Sequence, residues 1–210
     1  MLGVFLFVEW LDGSMGFRLK GHVIFFASDN VNKFNEARRV LAEFDVAVGM
    51  LRVKSLEVQS DSLEMIACAS VVDAFGRCRL PVVVEDAGLF VDGLNGFPGP
   101  YAAYVYRTIG NAGLLRLMEN VDVRRAKFES VVAYFSEELE LPICFSGVVS
   151  GEIASEERKS EGRSGFGFDP IFIPSGSEMT FAEMTLEEKN RHSHRADAFR
   201  KFGEWYRKRR

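Results

Sequence analysis

The 210-residue sequence is short of cysteine, proline and positive charge, and it has no long apolar run. Its three cysteines, Cys68, Cys78 and Cys144, stand far apart without metal-ligand spacing, and three cannot all pair. This argues against a disulfide scaffold and for a reducing compartment. Cys68 falls in an apolar helical pattern and reads as a small core residue. Six prolines with nineteen glycines exclude collagen-like or linker character. Thirty acidic side chains against twenty-six basic ones leave a charge of −4, a poor footprint for polynucleotide. The one basic cluster, Arg200, Lys201, Arg207, Lys208, Arg209 and Arg210, reads as the solvated end of a helix. The apolar stretch from Leu2 to Val8 is too short to cross a bilayer and lacks the basic flank of a signal peptide. The expectation is a soluble, cytoplasmic protein with no membrane partner. Residues 1–21 are read as an N-terminal extension that need not be ordered, with Met15 an alternative start. Residues 22–210 are read as a single domain.

What is present is a core and an alternating pattern. Hydrophobic residues make up 47% of the chain, enough for a sizeable interior. Val23 to Ala27 is a short apolar run, followed at once by polar Ser28-Asp29-Asn30. Phe34, Ala37, Val40, Leu41 and Phe44 then recur on one helical face. Leu51 to Leu56 reads as a second strand. Asp61 with Glu64 forms a potential capping box ahead of a helix that buries Met65, Ala69, Val72 and Phe75. Val82-Val83-Val84 is β-branched throughout, as in a central strand covered on both faces, and ends in Glu85-Asp86. Gly88 to Pro100 reads as loop, Thr108 to Met118 as a short helix, and Lys127 to Phe135 with Ile143 to Val149 as antiparallel neighbours. A glycine-rich loop spans Gly162 to Gly167, and a last helix begins near Ser193 and buries Phe199, Phe202 and Tyr206. The fold class is α/β, with a mixed sheet flanked by helices.

Four clusters carry chemistry. Ser28-Asp29-Asn30-Val31-Asn32-Lys33 joins a strand to a helix, where backbone N–H groups and a lysine suit phosphate oxygens. The same residues would also serve as plain helix caps. Glu85-Asp86 lies where ligands gather in open α/β sheets, and a carboxylate there suits Mg²⁺, with Glu57 a possible second ligand. In Ser164-Gly165-Phe166-Gly167-Phe168-Asp169-Pro170, glycines alternate with aromatics, so a ring can lie flat on a ligand while Asp169 accepts hydrogen bonds from a base edge. A tight turn pinned by two phenylalanines would give the same pattern. Last, Lys189, His194 and Arg195 place donors close together within TFAEMTLEEKNRHSHR.

Taken in order, these clusters resemble the inosine triphosphate pyrophosphatase family, which hydrolyses ITP, dITP and XTP. SDNVNK is similar to the family's S/T-x-N-x-x-K loop, and VVVEDAGLFVDGLNGFPGPYAAYV to its E-D-S/T-G-L…L-x-G-x-P-G block. GFGFDPIF is similar to G-F-G-Y/W-D-P-x-F, and TFAEMTLEEKNRHSHR to T-F-A-E-M…E-K-N-x-x-S-H-R. The resemblance covers His22 to Tyr206. It implies an elongated mixed sheet in two lobes with a nucleotide cleft between them, commonly a homodimer. It also implies Mg²⁺-dependent cleavage of a purine nucleoside triphosphate to monophosphate and pyrophosphate. Carried over by position, Ser28 to Lys33 would cradle the phosphates and Lys189 would add charge. Glu57 and Asp86 would hold the metal, and Asp86 would take the proton of the attacking water. Phe166 would stack on the base, Gly167, Phe168 and Asp169 would shape its pocket, and His194 and Arg195 would reach the purine carbonyl.

Three positions depart from that pattern. Ala87 replaces a Ser or Thr that contacts substrate. Cys68-Ala69-Ser70 replaces a stretch that often carries a phosphate-directed lysine. Tyr101-Ala102-Ala103 lacks the Ser, Lys or Arg common there. These keep two other readings in view: a pyrophosphatase for modified pyrimidine or methylated nucleotides, and a nucleotide-binding sensor of weak activity.

Overall fold

The structure, a computed structural model, describes residues 5–11, 14–20, 23–53, 56, 58–160 and 165–209. Strands β1 (Phe5–Leu11) and β2 (Ser14–Lys20) pair with each other as an antiparallel hairpin, a sheet of their own. The second sheet has seven strands: β3 (Val23–Ala27), β4 (Ala47–Leu51), β5 (Val82–Val91), β6 (Pro98–Gly99), β7 (Arg125–Phe135), β8 (Ile143–Ile153) and β9 (Phe172–Pro174). Their order is β4-β3-β5-β7-β8-β9, with β6 attached to β5. β3 runs parallel to β4 and β5, and β5, β7, β8 and β9 are antiparallel in turn, so the sheet is mixed.

Period-2 alternation divides β5 between two helical layers. Val83 joins Phe26 and Val132 beneath α1 (Val31–Ala42) and α6 (His194–Arg207). Val82 and Val84 join Val131 and Ala133 beneath α2 (Leu63–Cys78). Both faces of this strand are covered, as its β-branched run requires. A third cluster, around Leu89, Phe128, Phe172 and Phe181, packs under α3 (Ala102–Thr108) and α4 (Gly110–Leu117). The remaining helix is α5 (Leu186–His192), which Thr185 starts with a capping box.

Several expected boundaries move. The second strand is Ala47–Leu51, ending where Leu51 to Leu56 was expected, because Ala47 to Leu51 fit beside Val23 to Ala27 in parallel register. Ser62, not Asp61, caps α2 through the Met65 N–H. Its buried face runs through Leu63, Ala67, Val71 and Ala74, leaving Met65 and Val72 exposed. Apolar residues occur all round this helix, so periodicity alone does not single out a face. β5 continues through Glu85-Asp86 to Val91, because β7 pairs with it along that whole length. The helix expected over Thr108 to Met118 starts at Gly110, whose φ of +63° suits glycine, and a separate helix, α3, ends at Thr108 before it. Cys68 is half-buried rather than core, its sulfur 2.8 Å from that of Cys144 on β8. Among the described residues no helix is long and apolar enough to cross a membrane.

Candidate active site

β5 outruns its parallel neighbour. Phe26 pairs with Val83, and β3 ends one residue later, so β5 from Glu85 to Gly88 is paired only on its β7 side, before β6 joins it at Leu89 and Phe90. The space left open is the site. Successive β5 residues point to opposite faces, so Asp86 follows Val84 toward α2 while Glu85 and Ala87 face α6. The first face holds a cavity of about 580 Å³, walled by Ser28, Asn30, Lys33, Asp86 and Tyr101. The second holds a pocket of about 430 Å³, walled by Ala87, Phe128, Phe166, Phe168 and His194. Asn30, Lys33, Ala103 and Arg107 line both, so the two spaces adjoin.

The polar cavity is built on the start of α1. Asn30 caps the helix, its Oδ1 accepting from the N–H groups of Asn32 and Lys33, and Ser28 Oγ accepts from Asn30 N–H. Capping is thus the observed role of these side chains, and the helix's positive end lies at the cavity wall. Asp29 is exposed there. Val31 and Asn32 are exposed on the first turn and line neither space. Tyr101, at the start of α3, donates to Asp61 Oδ1 at 3.4 Å, linking α3 to the approach to α2 across the cavity.

Beneath both spaces lies a buried ionic cluster. Lys33 Nζ is 2.9 Å from Glu85 Oε2. Glu85 Oε1 accepts from Ser130 Oγ at 2.5 Å and faces Arg195 Nε at 3.0 Å. Glu36 receives Arg195 at 2.6 Å and Lys189 at 2.7 Å, and Lys189 reaches on to Asp169 Oδ2 at 2.7 Å. Burial alone would raise the carboxyls of Glu36 and Glu85. The cations outweigh it: Lys189 and Arg195 hold Glu36 below the usual carboxylate range, and Arg195 and Lys33 do the same for Glu85. Asp169 goes the other way, because burial, with Glu36 nearby, outweighs Lys189. Its Oδ2 also accepts from Phe166 N–H at 2.9 Å, closing the turn whose centre, Gly167, has φ +61°.

Lys189 was expected to face phosphates. It is instead 3% exposed, lies between Glu36 and Asp169, and lines neither space. Its ammonium stands 4.5 Å from the Phe166 ring centre, and the Arg195 guanidinium 5.4 Å. These cations therefore hold the ring in place. His194 is buried, stacked on Phe128 at 4.7 Å, and its Nδ1 has no hydrogen-bond partner among the described residues. Burial, reinforced by Arg195, pushes its pKa well below the usual range, so the imidazole is neutral. An unpaired buried nitrogen on a pocket wall is a place for a ligand's polar atom.

Glu57 lies outside the described residues, although Val58 beside it lines the polar cavity. Sequence reading did not anticipate Glu36, Arg107 or the bracing role of Glu85. Glu36 had a faint signal, one turn from Lys33 on the same helix face. Arg107 had none, since its place depends on how α3 docks.

Residues 24–205 match the model of the Ham1 family. The chain is 48% identical over 183 residues to a Methanopyrus kandleri protein named dITP/XTP pyrophosphatase, covering 87% of this chain and 95% of that one. A Thermococcus kodakarensis protein of the same name is 48% identical over 180 residues, covering 86% and 95%. Among solved structures, the Staphylococcus aureus Ham1 protein superposes with a TM-score of 0.76 at 29% identity, over 90% of this chain and all of that one. A dITP/XTP pyrophosphatase from Mycobacterium abscessus gives 0.62 at 32% identity, over 80% and 92%. On a match that spans most of its length and on these identities, the chain belongs to the Ham1 family.

Proposed function

We propose that this protein hydrolyses deaminated purine nucleoside triphosphates, ITP, dITP and XTP, to the monophosphate and pyrophosphate. The observation that carries the reading is the junction of an apolar pocket, with an unpaired histidine nitrogen, and a polar cavity bearing Asp86 and a helix N-terminus. A nucleotide has the same two halves. The base lies against Phe166, with Gly167, Phe168 and Asp169 forming the pocket, Ala87 on its floor and Arg195 fixing the ring's far side. His194 Nδ1, as a donor, pairs with the carbonyl at C6 of hypoxanthine or xanthine. An amino group at that position would face a donor with a donor, and such a mismatch costs orders of magnitude in selectivity.

The phosphates lie along Ser28 to Lys33. The donor set on the wall suits a hard divalent cation: Asp86 supplies carboxylate oxygen, and phosphates and waters complete the shell. Asp86 would hold Mg²⁺, with Glu57 as second ligand by its place in sequence. When bound, the ion neutralises phosphate charge and makes water more acidic. Asp86 accepts the proton of the attacking water, whose oxygen bonds to phosphorus as the α–β anhydride bond breaks and pyrophosphate leaves. A cytoplasmic homodimer is the setting that fits this reading.

The test is pyrophosphate release from ITP, XTP, GTP, ATP and dTTP with Mg²⁺ and with EDTA. Release from ITP and XTP, with the other three slower by orders of magnitude and EDTA abolishing turnover, is the expected result. A preference for dTTP would support the modified-pyrimidine reading, and ITP binding without release would support the sensor.

A further inference from the structure

The ionic cluster beneath the site is balanced. Lys33, Lys189 and Arg195 are matched one for one by Glu36, Glu85 and Asp169, each pair at 2.6–3.0 Å. On the walls themselves Asp29 and Asp86 add negative charge. A triphosphate carrying about four negative charges therefore meets a site whose familiar cations are already committed. Nearby positions add no charge: Ser70 is buried and donates to Leu56 O, and Ala102 and Ala103 carry only methyl groups.

Among the described residues, one cation on the walls has no carboxylate partner. Arg107 is exposed on α3 one turn beyond Ala103, lines both the polar cavity and the apolar pocket, and pairs with no carboxylate among the described residues. We propose that Arg107 is the phosphate-binding cation of this site, gripping the triphosphate chain where it leaves the nucleoside. A guanidinium on a long stem can follow phosphate oxygens as two parallel N–H donors, which a short side chain at the preceding turn could not do. Its neighbour Tyr106 packs edge-on against Phe168 at 5.5 Å, so α3 is tied to the base pocket and carries Arg107 at a set distance from it. The inference rests on the nucleotide reading above and adds to it the residue that discriminates triphosphate from monophosphate.

The experiment compares wild type, Arg107→Ala and Arg107→Lys in steady-state ITP hydrolysis, inhibition by IMP and direct ITP binding by calorimetry. Loss of a charge-assisted contact predicts a rise in the ITP KM and dissociation constant of roughly ten- to a hundredfold in Arg107→Ala. The IMP inhibition constant should move less than about twofold, and Arg107→Lys should recover part of the loss. An unchanged KM for ITP, or an equal weakening of IMP, would overturn the proposal. If wild type binds ITP but releases no pyrophosphate, the hydrolytic reading fails while the binding arm still judges Arg107.

Discussion

At the scale of single residues, two charged groups that the sequence assigns to the same site have opposite structural fates. Asp86 stands on a cavity wall, whereas Lys189 is sealed between two carboxylates. Asp86→Asn should lower kcat about 10²- to 10⁴-fold, the usual range for losing a positioned proton acceptor. Its thermal midpoint should stay near wild type, and near-normal turnover in the variant would remove Asp86 from the reaction. Lys189→Ala has a different signature. It leaves Glu36 and Asp169 buried with one cation fewer, a change that costs about 3–5 kcal/mol, readable as a lowered urea midpoint. A stable Lys189→Ala protein with only a raised KM would mean that Lys189 faces the phosphates after all. The contrast also marks what sequence could convey about the site. Ser28, Asp29, Asn30, Lys33, Asp86 and the Phe166 turn lie on the walls of the two spaces, and each could be read as part of a local pattern. The pairing of Lys189 and Arg195 with Glu36 could not, since Glu36 and Arg195 are 159 positions apart.

At the scale of elements, α6 is the piece that brings the base pocket to the sheet, and glycine lets it do so. A Cβ at Gly147 on β8 would sit 2.0 Å from His194 O and 2.6 Å from Ala198 N, both backbone atoms of α6. Gly147→Ala must therefore push the helix off the strand and carry His194 with it. The expected cost is at least about 1–3 kcal/mol, with weaker ITP binding in whatever protein remains folded. Gly76→Ala is the control: nothing lies within 4 Å of its Cβ on α2, and it should gain about 0.5–1 kcal/mol. Equal urea midpoints for the two variants would show that α6 does not press on Gly147. Elements with one clear apolar stripe were legible: α1, the β7–β8 pair and α6 lie where their periodicity placed them. The buried face of α2 and the upper half of β5 were not. The helix is apolar all round, and the strand owes its length to pairing with β7, whose partner choice is not a local property.

At the scale of the whole molecule, buried charge sets the response to acid. His194 has a native pKa below its ordinary value, so between the two the unfolded chain binds more protons and stability rises with pH. Its contribution is complete above about pH 6.5 and declines as pH falls, by roughly 1.4 kcal/mol per pH unit for one proton. Glu36 and Glu85 act in the same direction below about pH 4.5, the unfolded carboxylate value. Asp169, with a raised native pKa, opposes them: its contribution is present below its unfolded value and lost as pH rises. Urea midpoints at pH 7.5, 6.5, 5.5 and 4.5 should hold steady above 6.5 and then fall with increasing slope. A flat profile down to pH 5.5 would show that His194 is not buried as a neutral ring.

The ionic cluster also bears on how the chain acquires its activity. Its members come from α1, β5, the turn after Gly167, α5 and α6, which span most of the sequence. Joining Glu36 to Arg195 closes one of the longest loops available, and closing such loops is slow because their entropy is lost before any contact repays it. A chain with its sheet formed but α6 undocked has Asp86 in place and no base pocket. During refolding, secondary structure returns first, and turnover is the last property to appear.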